Sequence, residues 1–196
     1  GSLDTTVGPW DVSGPVHTLL LAADGQIWVG GDFSFVKGKR SGGLMLLAAD
    51  LSVREDRFIG VGSDGPVIAL EQMEDGSIIA AGSFGWKREG SLGHTQLARF
   101  SADGVRDDGF LVVLSSEARA VVELEDGKLL VGGGRIGSDT ESPNGFLAIL
   151  NEDGSQDSLI SGFGWDAFPG ANAPVTLLRR LSDGSILVGG RFDRLG

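Results

Sequence analysis

The chain has 196 residues, 16 of them basic and 27 acidic, for a net charge of −11, with 33 glycines and no cysteine. That balance disfavours nucleic acid and anionic membrane as partners, removes disulfides and thiolate metal sites, and, with no apolar run of about 18 residues, leaves no transmembrane helix. The glycines follow no Gly-X-Y triplet and are broken up by apolar runs, so they belong to the tight turns and close backbone approaches of an all-β chain.

One unit is written four times. Residues 16–33 read VHTLLLAADGQIWVGGDF, 67–84 VIALEQMEDGSIIAAGSF, 118–135 ARAVVELEDGKLLVGGGR and 175–192 VTLLRRLSDGSILVGGRF. The Asp of the central Asp-Gly pair falls at 24, 75, 126 and 183, in steps of 51, 51 and 57 residues, a period typical of repeat architectures. Two short apolar runs flank each Asp-Gly pair, which predicts a two-stranded hairpin. A third strand is expected at 44–49 (LMLLAA), 95–100 (TQLARF) and 146–151 (FLAILN), reached in the second copy through an eleven-residue polar loop. A polar fourth strand closes each unit, at 53–58 (VREDRF), 105–110 (VRDDGF) and 155–160 (SQDSLI). Asp50 is followed by Leu51 where the later copies have glycine, so that turn is expected to differ.

The first two strands of each copy are apolar on both faces and must be covered on both. The charged fourth strand suits a solvent-facing edge. Four-stranded antiparallel meanders standing side by side around an axis meet both demands, and that is a β-propeller. The small patches Gly30-Gly31, Ala81-Gly82, Gly132-Gly133 and Gly189-Gly190 then permit close approach between blades, or a bulge. The expected fold is an all-β propeller segment of four-stranded antiparallel blades. Its blades fall at about 16–58, 67–110, 118–160 and 175–196, with 1–7 as an outer strand: three complete blades plus partial ones. Residues 1–15 do not read as a signal peptide, and the ends suggest a piece of a longer propeller or an unusual closure.

The pattern of strand, Asp-Gly, apolar run ending in small residues, loop, strand, then Asp-Gly-x-x-Asp and an apolar residue resembles the delta-60 repeats. It is carried by Asp103-Gly104-Val105-Arg106-Asp107 with Phe110, and by Asp153-Gly154-Ser155-Gln156-Asp157 with Ile160. Gly1-Ser2-Leu3-Asp4 with Val7 is similar to the tail of another copy. Delta-60 repeats form β-propellers in large bacterial secreted or surface proteins and some phage tail proteins. The resemblance therefore implies an extracellular, cell-surface or virion setting, and it brings no catalytic motif.

Antiparallel connectivity puts the short Asp-Gly turns at one end of the blades. The longer connections, including 34–43, 85–94, 136–145 and 161–174, lie at the other. Long loops on a rigid scaffold are where binding residues usually sit. These carry Lys37, Lys39, Arg40, Trp86, Lys87, Arg88, Arg135, Phe163, Trp165 and Phe168, a basic and aromatic set on an acidic chain. Aromatic faces beside polar groups suit glycan or protein recognition. For Trp86, Trp165 and Phe168 the plainer reading, which is preferred, is that they plug gaps between blades, since aromatic residues more often pack than bind.

Other constellations are weaker. Residues 132–137 match G-x-G-x-x-G, but a turn-rich loop follows where a dinucleotide site needs a helix. Asn151, Asp153, Ser155 and Asp157 alternate as calcium ligands often do, without the closing Glu of an EF-hand; hairpin Asp side chains bonding their own backbone explain them as well. His17, expected to be packed in an inner strand, and His94 are the only histidines, too few for a zinc site. No G-x-S-x-G elbow is present, and the carboxylate pairs Glu125-Asp126 and Asp107-Asp108 sit at turns. The sequence thus points to a non-catalytic binding or scaffold module without cofactor, contacting a cell-surface glycan or protein, within a larger or oligomeric assembly. The alternatives are a structural spacer or oligomerisation domain of a fibre, and a glycan hydrolase.

Overall fold

A computed structural model describes residues 11–57, 65–88, 91–110, 112, 114, 116–134, 145–157 and 174–191. Among them every regular element is a β-strand except a 3-10 turn at Glu55–Arg57, and no helix is long and apolar enough to cross a membrane. The strands are β1 (Val16–Leu21), β2 (Ile27–Gly31), β3 (Phe35–Val36), β4 (Lys39–Arg40), β5 (Leu44–Leu47), β6 (Val67–Gln72), β7 (Ile78–Arg88), β8 (Ser91–Phe100), β9 (Ala118–Glu123), β10 (Leu129–Gly134), β11 (Gly145–Leu150), β12 (Val175–Arg180) and β13 (Ile186–Gly190). They form antiparallel sheets β1-β2-β5, β6-β7-β8, β9-β10-β11 and β12-β13, with β3-β4 as a small extra hairpin.

The hairpins close as their chemistry dictates. Gly25, Gly76, Gly127 and Gly184 take φ of 84°, 84°, 77° and 82°, and the preceding Asp accepts from the backbone N–H two residues on, as from Gln26 (2.9 Å) and Ser77 (2.8 Å). The Asp50-Leu51 turn does not differ in form. Leu51 itself adopts φ 65°, and the Ala48–Ser52 and Leu51–Ala48 backbone bonds (2.9 and 2.8 Å) match the pair at Ser101–Val105 and Gly104–Ser101 (both 2.8 Å).

The sheets stack face to face through alternating residues. Trp28, Leu44 and Leu46 of the first meet Val67, Ile78, Ala80 and Phe100 of the second. Ile79, Ala81 and Leu97 of the second meet Ala118, Val121 and Leu129 of the third. Ala120 and Val122 of the third meet Val175 and Leu178 of the fourth. Each inner strand thus shows its first and fourth residues to the preceding sheet and its third, fifth and seventh positions to the following one.

The glycine patch sets how closely sheets approach. A Cβ on Gly30 would lie 2.7 Å from Val67 Cγ1, and one on Gly132 2.6 Å from Val175 Cγ1. In the middle interface the volumes are exchanged, with Ala81 facing the smaller Ala118 in one buried cluster. Every inner strand also carries a bulge at its second residue, where the register shifts past His17, Ile68, Arg119 and Thr176.

Two expectations are corrected. Among the described residues the fourth strand is seen only as isolated bridges, Leu47↔Val53, Phe100↔Arg106 and Leu150↔Gln156, and the first three sheets pair three strands each. In the second copy an acidic side chain closes a turn there instead: Asp107 Oδ1 accepts from the Gly109 N–H (2.8 Å), and Phe110 and Val112 then pack between the second and third sheets. The eleven-residue loop of the second copy is ordered pairing. β7 and β8 continue as a ladder from Phe84↔Thr95 to Arg88↔Ser91, because backbone hydrogen bonds make no demand on apolar side chains.

Candidate functional site

Antiparallel pairing brings the long connections, the β3-β4 hairpin, the β7-β8 tip and the four bulges to one end of the stack. The β3-β4 hairpin turns through Lys37 and Gly38, at φ 47° and 72°, the paired positive angles of a tight hairpin turn. Ser13 Oγ anchors it, accepting from the Ser34 and Phe35 N–H groups (3.0 Å each). Of its cations, Lys39 pairs with Glu55 at 2.8 Å and Lys37 approaches the same carboxylate at 3.9 Å; the two lysines hold the Glu55 carboxyl below its ordinary range, Lys39 first. Arg40 is exposed. Trp86, Lys87 and Arg88 lie in the paired tip, their backbones opposite Gly93, Leu92 and Ser91. Arg135, Phe163, Trp165 and Phe168 lie outside the described residues.

The bulge positions are site residues that sequence reasoning missed. A bulge re-aims one side chain out of the ladder, and here it does so once per sheet at the same end. His17 is exposed rather than packed, because the register shift lifts it out of β1. Thr176 is also exposed, and Arg119 is half-buried, paired with Glu117 and donating from Nε to the Gly134 carbonyl (3.1 Å). The available signal was internal to the chain: His, Ile, Arg and Thr fill one slot of an otherwise repetitive motif.

At the opposite, turn end, an unexpected polar cluster ties the inner strands together. The Ala23 N–H donates to Gln72 Oε1 of the next sheet (2.9 Å), and the Glu74 N–H to Glu123 Oε2 (2.6 Å), so the same clasp joins successive blades. Arg180 of β12 reaches Glu74 of the second blade and Glu125 of the third, at 3.3 Å each. Burial, reinforced by the charge of Glu123, pushes Glu71 up to about 7, although the Glu123 N–H favours its ionised form. Burial likewise raises Glu123, with Glu74 and Asp75 adding to the effect and the Glu74 N–H and Arg180 opposing it.

The alternating set at Asn151 is committed to its own hairpin and a lysine. Asp153 Oδ1 accepts from the Ser155 N–H (2.9 Å), Asn151 Nδ2 donates to Ser155 Oγ (3.0 Å), and Lys128 Nζ sits 2.9 Å from Asp157.

A family model described as "Domain of unknown function (DUF5122) beta-propeller" matches residues 22–53 and 74–110. The extracellular domain of a hybrid two-component system from B. thetaiotaomicron is similar in structure, with TM-score 0.51 and 23% identity over 95% of this chain and 20% of that one. A catalytically inactive virginiamycin B lyase from Staphylococcus aureus with quinupristin is similar at TM-score 0.51 and 12% identity, over 91% of this chain and 50% of that one. The chain thus spans a fifth of the first and half of the second. The search of curated proteins found no match. Together with the stacked antiparallel sheets, these likenesses identify the fold as a β-propeller.

Proposed function

We propose that this propeller is a non-catalytic binding module of a surface-exposed protein, and that its long-connection end contacts a cell-surface glycan or protein. The observation that carries this is the ordering of that end. Two of its connections, β3-β4 and β7-β8, are paired hairpins whose chain includes Arg40 and the segment Trp86–Arg88, and the bulged His17, Arg119 and Thr176 belong to the same end. A backbone already held in its paired form loses little freedom on binding. The resemblance to delta-60 repeats, and a structural relative that is itself an extracellular domain, support the bacterial or phage surface setting. Trp86→Ala, Trp165→Ala and Arg40→Ala combined should lower binding to intact bacterial cells or a glycan array by at least about tenfold, the loss of one or two good contacts. Binding unchanged in the folded triple variant would rule out this face.

A hydrolase would need one carboxyl held protonated beside an ionised partner. Glu71 and Glu123 come nearest to that among the described residues. Glu123, however, is engaged by the Glu74 N–H in the clasp between blades, at the turn end away from the long connections, which favours the structural reading.

A further inference from the structure

Corresponding positions make the three joints between blades chemically different. The fifth residue of an inner strand faces the following blade, and the sixth reaches back to the turn of the preceding one. At the first joint these are Leu20 and Gln72, whose Oε1 accepts from the Ala23 N–H (2.9 Å). At the third they are Val122 and Arg180, which stands 3.3 Å from both Glu125 and Glu74. At the second joint both are carboxylates, Glu71 and Glu123. Each accepts from a backbone N–H across the joint, Glu123 Oε2 from Glu74 (2.6 Å) and Glu71 from Glu123 itself.

Two carboxylates facing one another across a half-buried joint disfavour full ionisation. Their surroundings add to the conflict, with Glu74 and Asp75 on the second blade's turn and Glu125 on the third's. Arg180, the cation that faces them, is already drawn toward Glu74 and Glu125. Glu71 is accordingly pushed up to about 7, by burial first and by Glu123 second, and Glu123 is raised as well.

The outer side of the same joint carries no such conflict. Arg99 of β8 donates from Nε and Nη2 to Asp107 Oδ2 (2.9 and 2.5 Å) and from Nη1 to the Glu152 carbonyl of the third blade (2.8 Å). Its guanidinium also lies 4.9 Å from the centre of the Phe110 ring, which packs between the two sheets. Arginine stays charged, and Asp107 is held below its ordinary range, chiefly by Arg99. This tie is therefore unaffected by pH near neutrality.

We propose that the second joint is a proton-sensitive hinge. With a proton on the Glu71–Glu123 pair its inner, turn-end side is closed; loss of that proton lets the second and third blades part there, while Arg99 keeps their outer sides joined. The closed joint holds the proton more tightly than the open one, where Glu71 returns to its ordinary 4.5. Opening therefore grows easier as pH rises to about 7 and changes little above, and the step from pH 6 to pH 8 should raise the opening constant about tenfold.

Adjacent residues of β7 report the two joints separately. Ile78 and Ile79 are both fully buried, the first in the cluster of the first joint and the second in that of the second, and Ile79 pairs across the strands with Glu71. Ile78→Cys and Ile79→Cys, made separately in this cysteine-free chain, are labelled with a pyridyl disulfide reagent. Each rate is divided by that of the urea-unfolded variant at the same pH. The thiol at position 79 should label about tenfold faster at pH 8 than at pH 6, with little dependence on low urea, the mark of a local opening. The thiol at position 78 should label more slowly, with the full urea dependence of global unfolding. Adding Glu71→Gln to Ile79→Cys should remove the rise. Should either cysteine variant misfold, Ala80→Cys and Ala81→Cys, buried in the same two clusters, serve in its place. Equal labelling at the two positions, full urea dependence at position 79, equal rates at pH 6 and pH 8, or a rise that survives Glu71→Gln would each overturn the proposal.

Discussion

Glu71 offers a pH-dependent test of how the inner strands are held together. Its carboxyl lies between the second and third blades, pushed up to about 7 by burial and by the Glu123 charge. Against the ordinary 4.5 for Glu, a folded value of about 7 corresponds to about 3 kcal/mol at 1.36 kcal/mol per pKa unit. Because the side chain is only partly buried, about 2–3 kcal/mol is the working range. The sign follows from linkage. Between pH 4.5 and 7 the folded state binds this proton more tightly than the unfolded chain does, so stability falls as pH rises through that window and levels off above it.

Urea denaturation at steps from pH 5 to 8 measures the effect. The lower limit stays above the range where the hairpin carboxylates titrate; Asp75, Asp107, Asp153 and Asp183 are all held below their ordinary values. With a slope of about 2 kcal/mol per molar, the wild-type midpoint should drop by roughly 1 M across the window. Glu71→Gln removes the titrating group while keeping its size, so it should flatten most of the decline and leave the variant more stable than wild type at pH 8. Residual slope is expected from Glu123, which is also raised. Equal slopes for variant and wild type would refute the assignment of a protonated carboxyl to this interface.

Leu51→Gly should stabilise the chain by about 0.5–1 kcal/mol, since a leucine at φ 65° carries about 1–2 kcal/mol of backbone cost, part of which glycine's greater unfolded-state freedom cancels. The reverse change, Gly76→Ala, is made at φ 84° with nothing within 4 Å of the new Cβ and should destabilise by about 1 kcal/mol through the backbone alone; thermal melts read both. Gly132→Ala should destabilise by about 1–3 kcal/mol because its Cβ would lie 2.6 Å from Val175 Cγ1. Adding Val175→Ala should recover part of that loss, reproducing the Ala81 and Ala118 pairing, and a double-mutant cycle in urea showing strict additivity would contradict the volume rule.

The period, the hairpins and the stacking were legible because each is written in side-chain chemistry. Trp28 and Val29 are adjacent and fully buried on opposite faces, which only a sheet covered on both sides allows, and Asp-Gly fixes where each hairpin turns. What was not legible is governed by the backbone or by distant neighbours. The β7-β8 extension runs through Gly85, Gly93 and charged residues, a composition that reads as loop. The fourth strand was masked in the opposite sense, since alternation in VRDDGF suggests a strand while Asp107 closes a turn and Arg99, donating from Nε at 2.9 Å, holds its carboxylate. The bulges leave no mark on composition. Glu71 could have been noticed as a carboxylate inside a strand expected to be greasy on both faces, a placement that needs a reason.

The two ends of the propeller divide the work between them. At the turn end, Gln72, Glu74, Glu123 and Arg180 are spent on joining blades, with side chains bonded to the backbone or to charges of neighbouring sheets. Groups engaged in that way cannot be given to a ligand without loosening the stack. At the other end the register shifts lift His17 and Thr176 out of the ladders, and two of the connections, β3-β4 and β7-β8, are held by backbone pairing that does not depend on which side chains they carry. A surface evolving to bind different partners can change residues at the second end at little cost to the sheets and at the first only by weakening them. That asymmetry is the physical reason for seeking recognition at the long connections, and for reading the acidic cluster at the turns as part of the frame.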